Sequence, residues 1–112
     1  MTDGQKRRSI AYEKEICDLT KDDVRVRVTG TVIEKQDESS SIVLDDGTGQ
    51  VTIMLPSDEF LENINPGMFL RVIGMIIPYG EGVELRGELI QDFSKANKDI
   101  YTKYRMLAKL SS

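Results

Sequence analysis

Apolar and polar residues alternate strictly at the start of residues 24–35, which read VRVRVTGTVIEK. Alternation with a period of two predicts a half-buried strand. Its predicted inner face carries Val24, Val26, Val28 and Val32, and its predicted outer face carries Arg25, Arg27, Thr29 and Thr31. Gly30 inside this pattern predicts a bulge or a sharp bend, which a strand needs when it curls around a small barrel.

Two further predicted strands, residues 42–45 and 50–55, flank the acidic turn DDGTG at residues 45–49. This pattern predicts a hairpin in which both glycines adopt positive φ angles and the aspartate and threonine side chains hydrogen-bond turn amides. Adjacent carboxylates at a strand end point apart, so the turn is not predicted to be a catalytic or metal site. Its role is to fix the hairpin register, which directs Thr52 and Met54 outward.

The second half of the barrel region predicts a helix and two more strands. Pro56 ends the third strand and Ser57 stands where a helix N-cap belongs, so a short helix is predicted over 58–64. Strands are predicted over 68–77, which is apolar on both faces, and over 83–90. The predicted inward residues of the last strand are Val83, Leu85 and Leu89.

Two further segments outside the predicted strands are candidate helices. Residues 98–110 predict an amphipathic C-terminal helix, because apolar side chains recur there at three-to-four spacing. The opening segment IAYEKEICDL, residues 10–19, is also a candidate helix, since its pattern is broken only from Thr20 onward.

Five strands, a helix between the third and the fourth, and glycines within three strands are typical of the oligonucleotide/oligosaccharide-binding (OB) barrel. An SH3-like barrel does not normally place a full helix there. The predicted fold class is therefore all-β, a five-stranded antiparallel OB-fold barrel with a C-terminal amphipathic helix. The predicted organisation is a disordered arm over 1–9, the barrel over 10–93 and the helix over 94–112.

Composition excludes most catalytic and metal chemistry. The chain has no histidine and one cysteine, Cys17, so a zinc site, a histidine-dependent catalytic pair and an intramolecular disulfide cannot form. We expect a binding protein and not an enzyme, with no cofactor and no small-molecule substrate. No apolar run approaches the ~20 residues of a membrane helix. No apolar segment follows the N-terminal basic cluster, so we expect an intracellular protein, cytoplasmic in a prokaryote or nuclear in a eukaryote.

Charge is distributed unevenly along the chain. The net charge is −4, but residues 21–93 carry six Lys/Arg against fourteen Asp/Glu, whereas residues 94–112 carry five against one. This asymmetry indicates different partners for the two regions, or mutual screening. The strand arginines are predicted to face outward and to form a positive strip inside an acidic rim. In the alternative interpretation, Arg25 and Arg27 pair with Glu84 or Glu88.

Four segments, in order, resemble the OB domains of replication protein A, the single-stranded-DNA-binding factor of eukaryotes and archaea. They are VRVTGTV, IVLDDGTGQVTIML, INPGMFLRVIGMI and GVELRGELIQDF, and the resemblance covers about residues 16–110. It implies binding of single-stranded DNA, or of RNA, in replication, repair or recombination. The terminal helix is similar to that of the middle and small subunits and of telomere-capping subunits, and implies association with other such subunits.

One departure from this pattern concerns base stacking. DNA-binding members usually carry an aromatic residue at the end of the third strand, where this chain has Met54, Leu55 and Pro56. Only Tyr79 lies where a base could stack, and its alternative role is to pack over Ile77 or Pro78.

The candidate residues divide between two surfaces. The candidate nucleic-acid-binding residues are Arg25, Arg27, Thr29, Lys35, Thr52, Met54, Arg71, Tyr79 and Arg86. The candidate partner-binding residues are Ile100, Tyr101, Tyr104 and Leu107. Three functions follow: a single-strand-binding module, an assembly subunit of a replication or telomere-type complex with weak DNA affinity, and a tRNA-binding OB module.

Overall fold

A computed structural model of the protein describes residues 11–94. The predicted N-terminal arm and C-terminal helix, and with them Ile100, Tyr101, Tyr104 and Leu107, lie outside the described residues.

The described residues form a six-stranded sheet that closes into a barrel. The strands are β1 (Tyr12–Glu13), β2 (Arg25–Gln36), β3 (Ser41–Asp45), β4 (Gln50–Met54), β5 (Phe69–Tyr79) and β6 (Gly82–Asp92). Their order is β1-β2-β3-β4-β6-β5, and β2 also pairs with β5, which closes strands β2 to β6 on themselves. The short helix α1 (Asp58–Glu62) connects β4 to β5. The prediction of a closed five-stranded OB barrel is confirmed.

The barrel core consists of the inward residues of all five strands. The most deeply buried side chains, each at most 1% exposed, include Val26, Val28, Ile42, Leu44, Ile53, Leu70, Val72 and Leu85. Burial of these aliphatic side chains is the main stabilising contribution, and it follows from the alternation of the strands. Leu61 and Ile64 from the helical connection close one end of the core.

Gly30 lies where β2 changes partners. Residues 25–31 of β2 pair with β5, and residues 31–36 pair with β3. A Cβ atom on Gly30 would lie 2.6 Å from the carbonyl oxygen of Asp45, so only glycine allows this approach. The predicted bulge is not at this glycine, because the register shift falls between Val32 and Glu34.

The prediction of a helix over residues 10–19 is wrong. The segment forms β1, which pairs in parallel with residues 26–27 of β2, and a 3-10 turn over Ile16–Asp18. The local pattern was compatible with a helix, but the free edge of β2 offers backbone hydrogen bonds to an extended chain and Ile16 is buried in the core. Tertiary pairing therefore decides the conformation.

Two predicted orientations are also wrong, and one predicted exposure. Leu89 is 49% exposed, because β6 shifts register between Gly87 and Leu89 and the extra residue, Glu88, reverses the alternation. Val24 precedes β2 and is exposed. Thr29 lies on the outer face of β2, as predicted, because it is opposite Arg71, but it is covered and only 2% exposed.

The DDGTG turn differs from the prediction at one glycine. Gly47 has a φ of 89°, as the tight hairpin requires, but Gly49 is not in the left-handed region. Gly49 instead lies against Ile16, since a Cβ atom there would be 3.4 Å from the Cγ2 atom of Ile16. As predicted, the Asp45 and Asp46 carboxylates accept hydrogen bonds from turn amides.

Candidate nucleic-acid interface

The outer face of β3, β4 and β6 gathers three of the predicted site residues. Thr52 and Met54 point outward from β4, because they alternate with the buried Val51 and Ile53. Met54 is in register with Arg86 of the parallel strand β6, so their side chains emerge side by side. We call this surface, defined by Thr52, Met54 and Arg86, the β3–β4–β6 face.

The same row of residues continues around the barrel to β5 and β2. Arg86 is opposite Met75, and Met75 is opposite Arg25. The Arg25 guanidinium donates from Nε to Glu88 at 2.7 Å and from a terminal nitrogen at 3.0 Å. This hydrogen-bonded pair raises the pKa of Arg25. Pairing across the barrel with Glu88, one of the sequence alternatives for Arg25, is therefore present.

Arg27 and Arg71 lie on a different part of the surface and share one carboxylate. The Oε1 atom of Glu13 is 3.3 Å from Nε of Arg27 and 3.6 Å from a terminal nitrogen of Arg71. The guanidinium of Arg71 also lies 5.6 Å from the centre of the Phe93 ring, within the range of a cation–π contact. Arg27 therefore pairs with Glu13 of β1, and not with Glu84 or Glu88 as the sequence alternative had it.

Two other candidates do not join the β3–β4–β6 face. Thr29 is buried, so it cannot contact a strand without a rearrangement of the barrel. Lys35 follows the bulge in β2 and is in register with Ile42, whose side chain points into the core. Lys35 is therefore displaced from the row that contains Met54 and Arg86. Within residues 11–94, neither Lys35 nor Arg86 lies within ion-pairing distance of a carboxylate.

Tyr79 lies at the tight turn between β5 and β6 and is 67% exposed. Its ring is therefore accessible to a ligand. Beside it, the ammonium of Lys21 donates a 2.8 Å hydrogen bond to the carbonyl oxygen of Gly80. Lys21 was not among the sequence candidates, since 59 residues separate it from Gly80 and no local pattern connects the two.

The outer face of β3 supplies further residues that the sequence did not single out. Val43 is paired with Thr52, and Ser41 with Met54, so both lie beside the predicted site residues. Ser41 is buried, and its hydroxyl donates at 2.7 Å to the side chain of Gln36, the last residue of β2. Val43 could have been found from the strand pairing alone, because opposed residues share a face.

A pocket lies at the α1 end of the barrel, away from Tyr79. Its volume is about 350 Å³, and its lining comprises Glu59, Phe60, Asn63, Ile64, Met68, Leu70, Ile90 and Asp92. The walls are mainly apolar, and the two charged lining residues are both acidic. An acidic rim repels phosphate, so this pocket does not suit a nucleic-acid strand.

Acidic side chains outnumber basic ones in the described barrel, so nucleic acid can be contacted only by those cations that no carboxylate neutralises. Residues 11–94 carry seven Lys/Arg against seventeen Asp/Glu. In this part of the chain no cluster of acidic or cysteine side chains could hold a metal ion. The helices it contains are also too short and too polar to cross a membrane.

Several solved structures share this fold. The telomere capping protein Ten1 from Saccharomyces pombe matches with a TM-score of 0.60 and 20% identity, over 91% of this chain and 98% of that chain. A replication protein A heterotrimer bound to single-stranded DNA matches with a TM-score of 0.62 and 15% identity, over 79% of this chain and 73% of that chain. A putative aspartyl-tRNA synthetase from Leishmania major matches with a TM-score of 0.63 and 15% identity, over 75% of this chain but 21% of that chain.

Sequence comparison gives the family directly. No curated protein shows significant sequence similarity to the chain. The model of the OB-fold nucleic acid binding domain family, however, matches residues 24–92. This region is more than half of the chain and contains all five barrel strands, so the chain belongs to the family of OB-fold nucleic acid binding domains.

Proposed function

We propose that this protein binds single-stranded nucleic acid on the β3–β4–β6 face and acts, without catalytic activity, in DNA replication, repair or recombination inside the cell. OB barrels bind oligonucleotides on the face of their second and third barrel strands and on the adjoining loops. These strands are β3 and β4 here, and the adjoining loops are residues 37–40 and the Tyr79 turn.

The observation that carries the proposal is the register of Met54 with Arg86 on this face. It places an apolar side chain, which can contact a base, next to a guanidinium that no carboxylate of residues 11–94 neutralises. Single-strand binding sites combine cations that follow the phosphates with flat or apolar side chains that contact the bases. Tyr79 supplies the exposed ring and Lys21 a further cation.

The acidic remainder of the barrel sets the expected strength of binding. Few cations contact the strand, so affinity should be modest at physiological salt and should rise as salt is lowered. Each phosphate contacted by a cation adds about 0.7 to the slope of log K against log salt for a single strand. With Arg86 and Lys21 as the main contacts, the slope should be about 1 to 2.

A fluorescence anisotropy titration with labelled oligo-dT at several salt concentrations tests the proposal. The full chain should bind, and binding should weaken along the shallow slope given above. Salt screens the attraction between cations and phosphates least at low ionic strength. Absence of binding at about 20 to 50 mM salt would therefore reject the proposal.

A competition experiment distinguishes single-stranded DNA from tRNA as the ligand. We propose single-stranded DNA, because the sequence resembles replication protein A and a replication protein A heterotrimer bound to single-stranded DNA shares the fold. A tRNA-binding module is the alternative, supported by the fold shared with the aspartyl-tRNA synthetase. Unlabelled single-stranded DNA should displace the labelled strand at lower concentration than a folded tRNA of equal phosphate content. The reverse order would favour the tRNA module.

A second candidate function is that of an assembly subunit in a replication or telomere-type complex. The observation that favours it is that Arg25, Arg27 and Arg71 are all paired with carboxylates. The barrel is acidic, whereas residues 95–112 carry five Lys/Arg against one Asp/Glu, so the two parts suit different partners. We propose that Ile100, Tyr101, Tyr104 and Leu107 contact another subunit of the replication protein A type.

Deletion of residues 96–112 tests the assembly function. The shortened chain should retain a folded barrel, because β6 ends at Asp92, and should no longer co-purify with partner subunits. If the shortened chain co-purifies as the full chain does, the C-terminal segment is not the contact. If it loses its partners but binds oligo-dT unchanged, the two functions are separate.

A further inference from the structure

Glu13 lies against two arginines that belong to neighbouring strands. Arg27 of β2 and Arg71 of β5 are offset by two residues, since Arg27 is opposite Ile73 and Thr29 is opposite Arg71. Both guanidiniums approach the same oxygen of Glu13, at 3.3 and 3.6 Å. The three side chains are half-buried, with exposed fractions of 34%, 20% and 18% for Arg27, Arg71 and Glu13. The cluster therefore holds two positive charges and one negative charge.

The geometry of the cluster suits an anion with more acceptor oxygens than a single carboxylate uses here. The Nε atom of Arg71 is buried and has no hydrogen-bond partner among residues 11–94. A guanidinium presents several donors in a plane, which match the non-bridging oxygens of a phosphate as well as those of a carboxylate. We propose that Arg27 and Arg71 form a phosphate-binding site that Glu13 occupies in this structure.

Glu13 is held by a short strand that can separate locally. Strand β1 has two residues, and Tyr12 is 57% exposed. The chain is anchored from Lys14 onward: the amide of Lys14 donates to the Arg27 carbonyl at 3.1 Å, its ammonium pairs with Asp23 at 2.8 Å, and Ile16 is buried. Among the described residues, displacement of Glu13 therefore breaks the pairing of residues 11–13 alone, and a two-residue edge of this kind opens at low free-energy cost.

The phosphate can belong to inorganic phosphate or to a nucleic-acid backbone. The site lies on β2 and β5 and uses none of the residues of the β3–β4–β6 face. It rests on the proposed function only where the phosphate is part of a bound strand. Such a strand would exchange its phosphate for the carboxylate of Glu13, so that the segment before Lys14 would compete with nucleic acid for Arg27 and Arg71.

Replacement of Glu13 by glutamine tests the site. Sodium phosphate is titrated at constant ionic strength, set with chloride, into the full chain while the Nε–H signals of Arg27 and Arg71 are followed by NMR. Glu13→Gln should bind phosphate at least fivefold more tightly than the wild type, because the competing carboxylate is gone. Glu62→Gln makes the same charge change on the exposed side of α1 and should leave the wild-type midpoint unchanged.

The double variant Glu13→Gln, Arg71→Gln separates the site from a general effect of charge. It should return phosphate binding to the wild-type level or below, with a circular dichroism spectrum showing that the barrel is retained. Equal midpoints for Glu13→Gln and Glu62→Gln would overturn the proposal. If Glu13→Gln proves unstable, the wild type is titrated alone. Arginine signals that do not move up to the highest phosphate concentration reached would overturn the proposal as well.

A parallel titration with oligo-dT distinguishes the two proposals. If Glu13→Gln binds phosphate but neither variant binds oligo-dT, the phosphate site stands and the proposed function fails. If oligo-dT binds the wild type and phosphate moves no arginine signal in Glu13→Gln, the proposed function stands and the phosphate site fails. A strand that uses both surfaces should bind Glu13→Gln with a salt slope steeper by about 0.7 per added phosphate contact.

Discussion

The carboxylate of Asp46 accepts a hydrogen bond from the backbone amide of Ile16 at 2.8 Å, although 30 residues separate the two. The same carboxylate accepts hydrogen bonds from the Thr48 hydroxyl and amide and from the Gly49 amide. The Thr48 hydroxyl in turn accepts a hydrogen bond from the Cys17 amide at 3.1 Å. The acidic turn therefore holds the 3-10 turn against the hairpin and is a structural element of the barrel.

Replacement of Asp46 by asparagine should lower the free energy of unfolding at pH 7 by about 1–3 kcal/mol, because asparagine offers one neutral acceptor oxygen in place of two charged ones. Urea denaturation measures this change. Asp37→Asn, in the exposed β2–β3 loop, makes the same chemical change and should have little effect. An equal effect of the two variants would show that the contacts of Asp46 are not important for stability.

Asp46 should also make the stability depend on acid pH. Burial works to raise the pKa of Asp46, but the hydrogen bonds from Thr48, Ile16 and Gly49 outweigh it and lower the pKa below the ordinary value of 3.8. A depressed folded-state pKa adds stability above the unfolded pKa, and this stability is lost as the pH falls through the folded value. Between pH 7 and pH 2, the wild type should therefore lose more stability than Asp46→Asn. Parallel pH profiles of the two proteins would contradict this assignment.

Gly30→Ala should destabilise the barrel by about 1–3 kcal/mol, because the new methyl group would overlap the Asp45 carbonyl and force β2 and β3 apart. Thermal or urea unfolding measures the loss. The matched control is Gly82→Ala, whose added Cβ atom has its nearest neighbour at 3.9 Å. The control should change stability by less than about 0.5 kcal/mol. A large loss of stability in Gly82→Ala alone would place the steric constraint at the β5–β6 turn and not at Gly30.

Arg86 and Arg25 belong to the same row of residues but should differ in their effect on binding. Arg86→Gln should flatten the salt slope for oligo-dT by about 0.7, because one phosphate contact is lost. Arg25→Gln should change the slope less, since Glu88 already neutralises Arg25. The two slopes are obtained by anisotropy titrations between low and physiological salt. A larger effect of Arg25 would move the interface toward β2 and β5.

Tyr79→Ala should weaken oligo-dT binding by about 5- to 150-fold, the range expected for loss of one stacked base. Phe60 is the control, because it is also an exposed aromatic residue but lies on α1, at the end of the barrel away from Tyr79. Phe60→Ala should leave the affinity within about twofold of wild type, as expected for a residue outside the interface. Equal affinities of the two variants would exclude a stacking role for Tyr79.

The fold could be predicted because its signals are local. Alternation in residues 24–35 and 50–55, the DDGTG turn and the Pro56–Ser57 helix start each depend on a few neighbouring residues. The errors arose where long-range pairing decides. The bulge at Glu88 reverses the orientation of Leu89, and the free edge of β2 extends a segment whose own pattern was compatible with a helix.

The candidate site was predictable only in part, for the same reason. Hairpin register was sufficient to turn Thr52 and Met54 outward. The partners of the arginines were not predictable from the sequence alone, since Glu88 lies 63 residues from Arg25 and Glu13 approaches Arg27 through a strand that the sequence did not indicate. Charge counts gave the correct expectation of few available cations, but not which cations these are.

Backbone amide chemical-shift mapping of the labelled full chain with a short oligo-dT tests the central proposal most directly. Binding on the β3–β4–β6 face should shift the amides of Thr52, Met54 and Arg86 and of the Tyr79 turn, and leave Leu61 and Ile64 at the α1 end unchanged. No shift at low salt, or shifts confined to the α1 end, would contradict binding of single-stranded nucleic acid on this face.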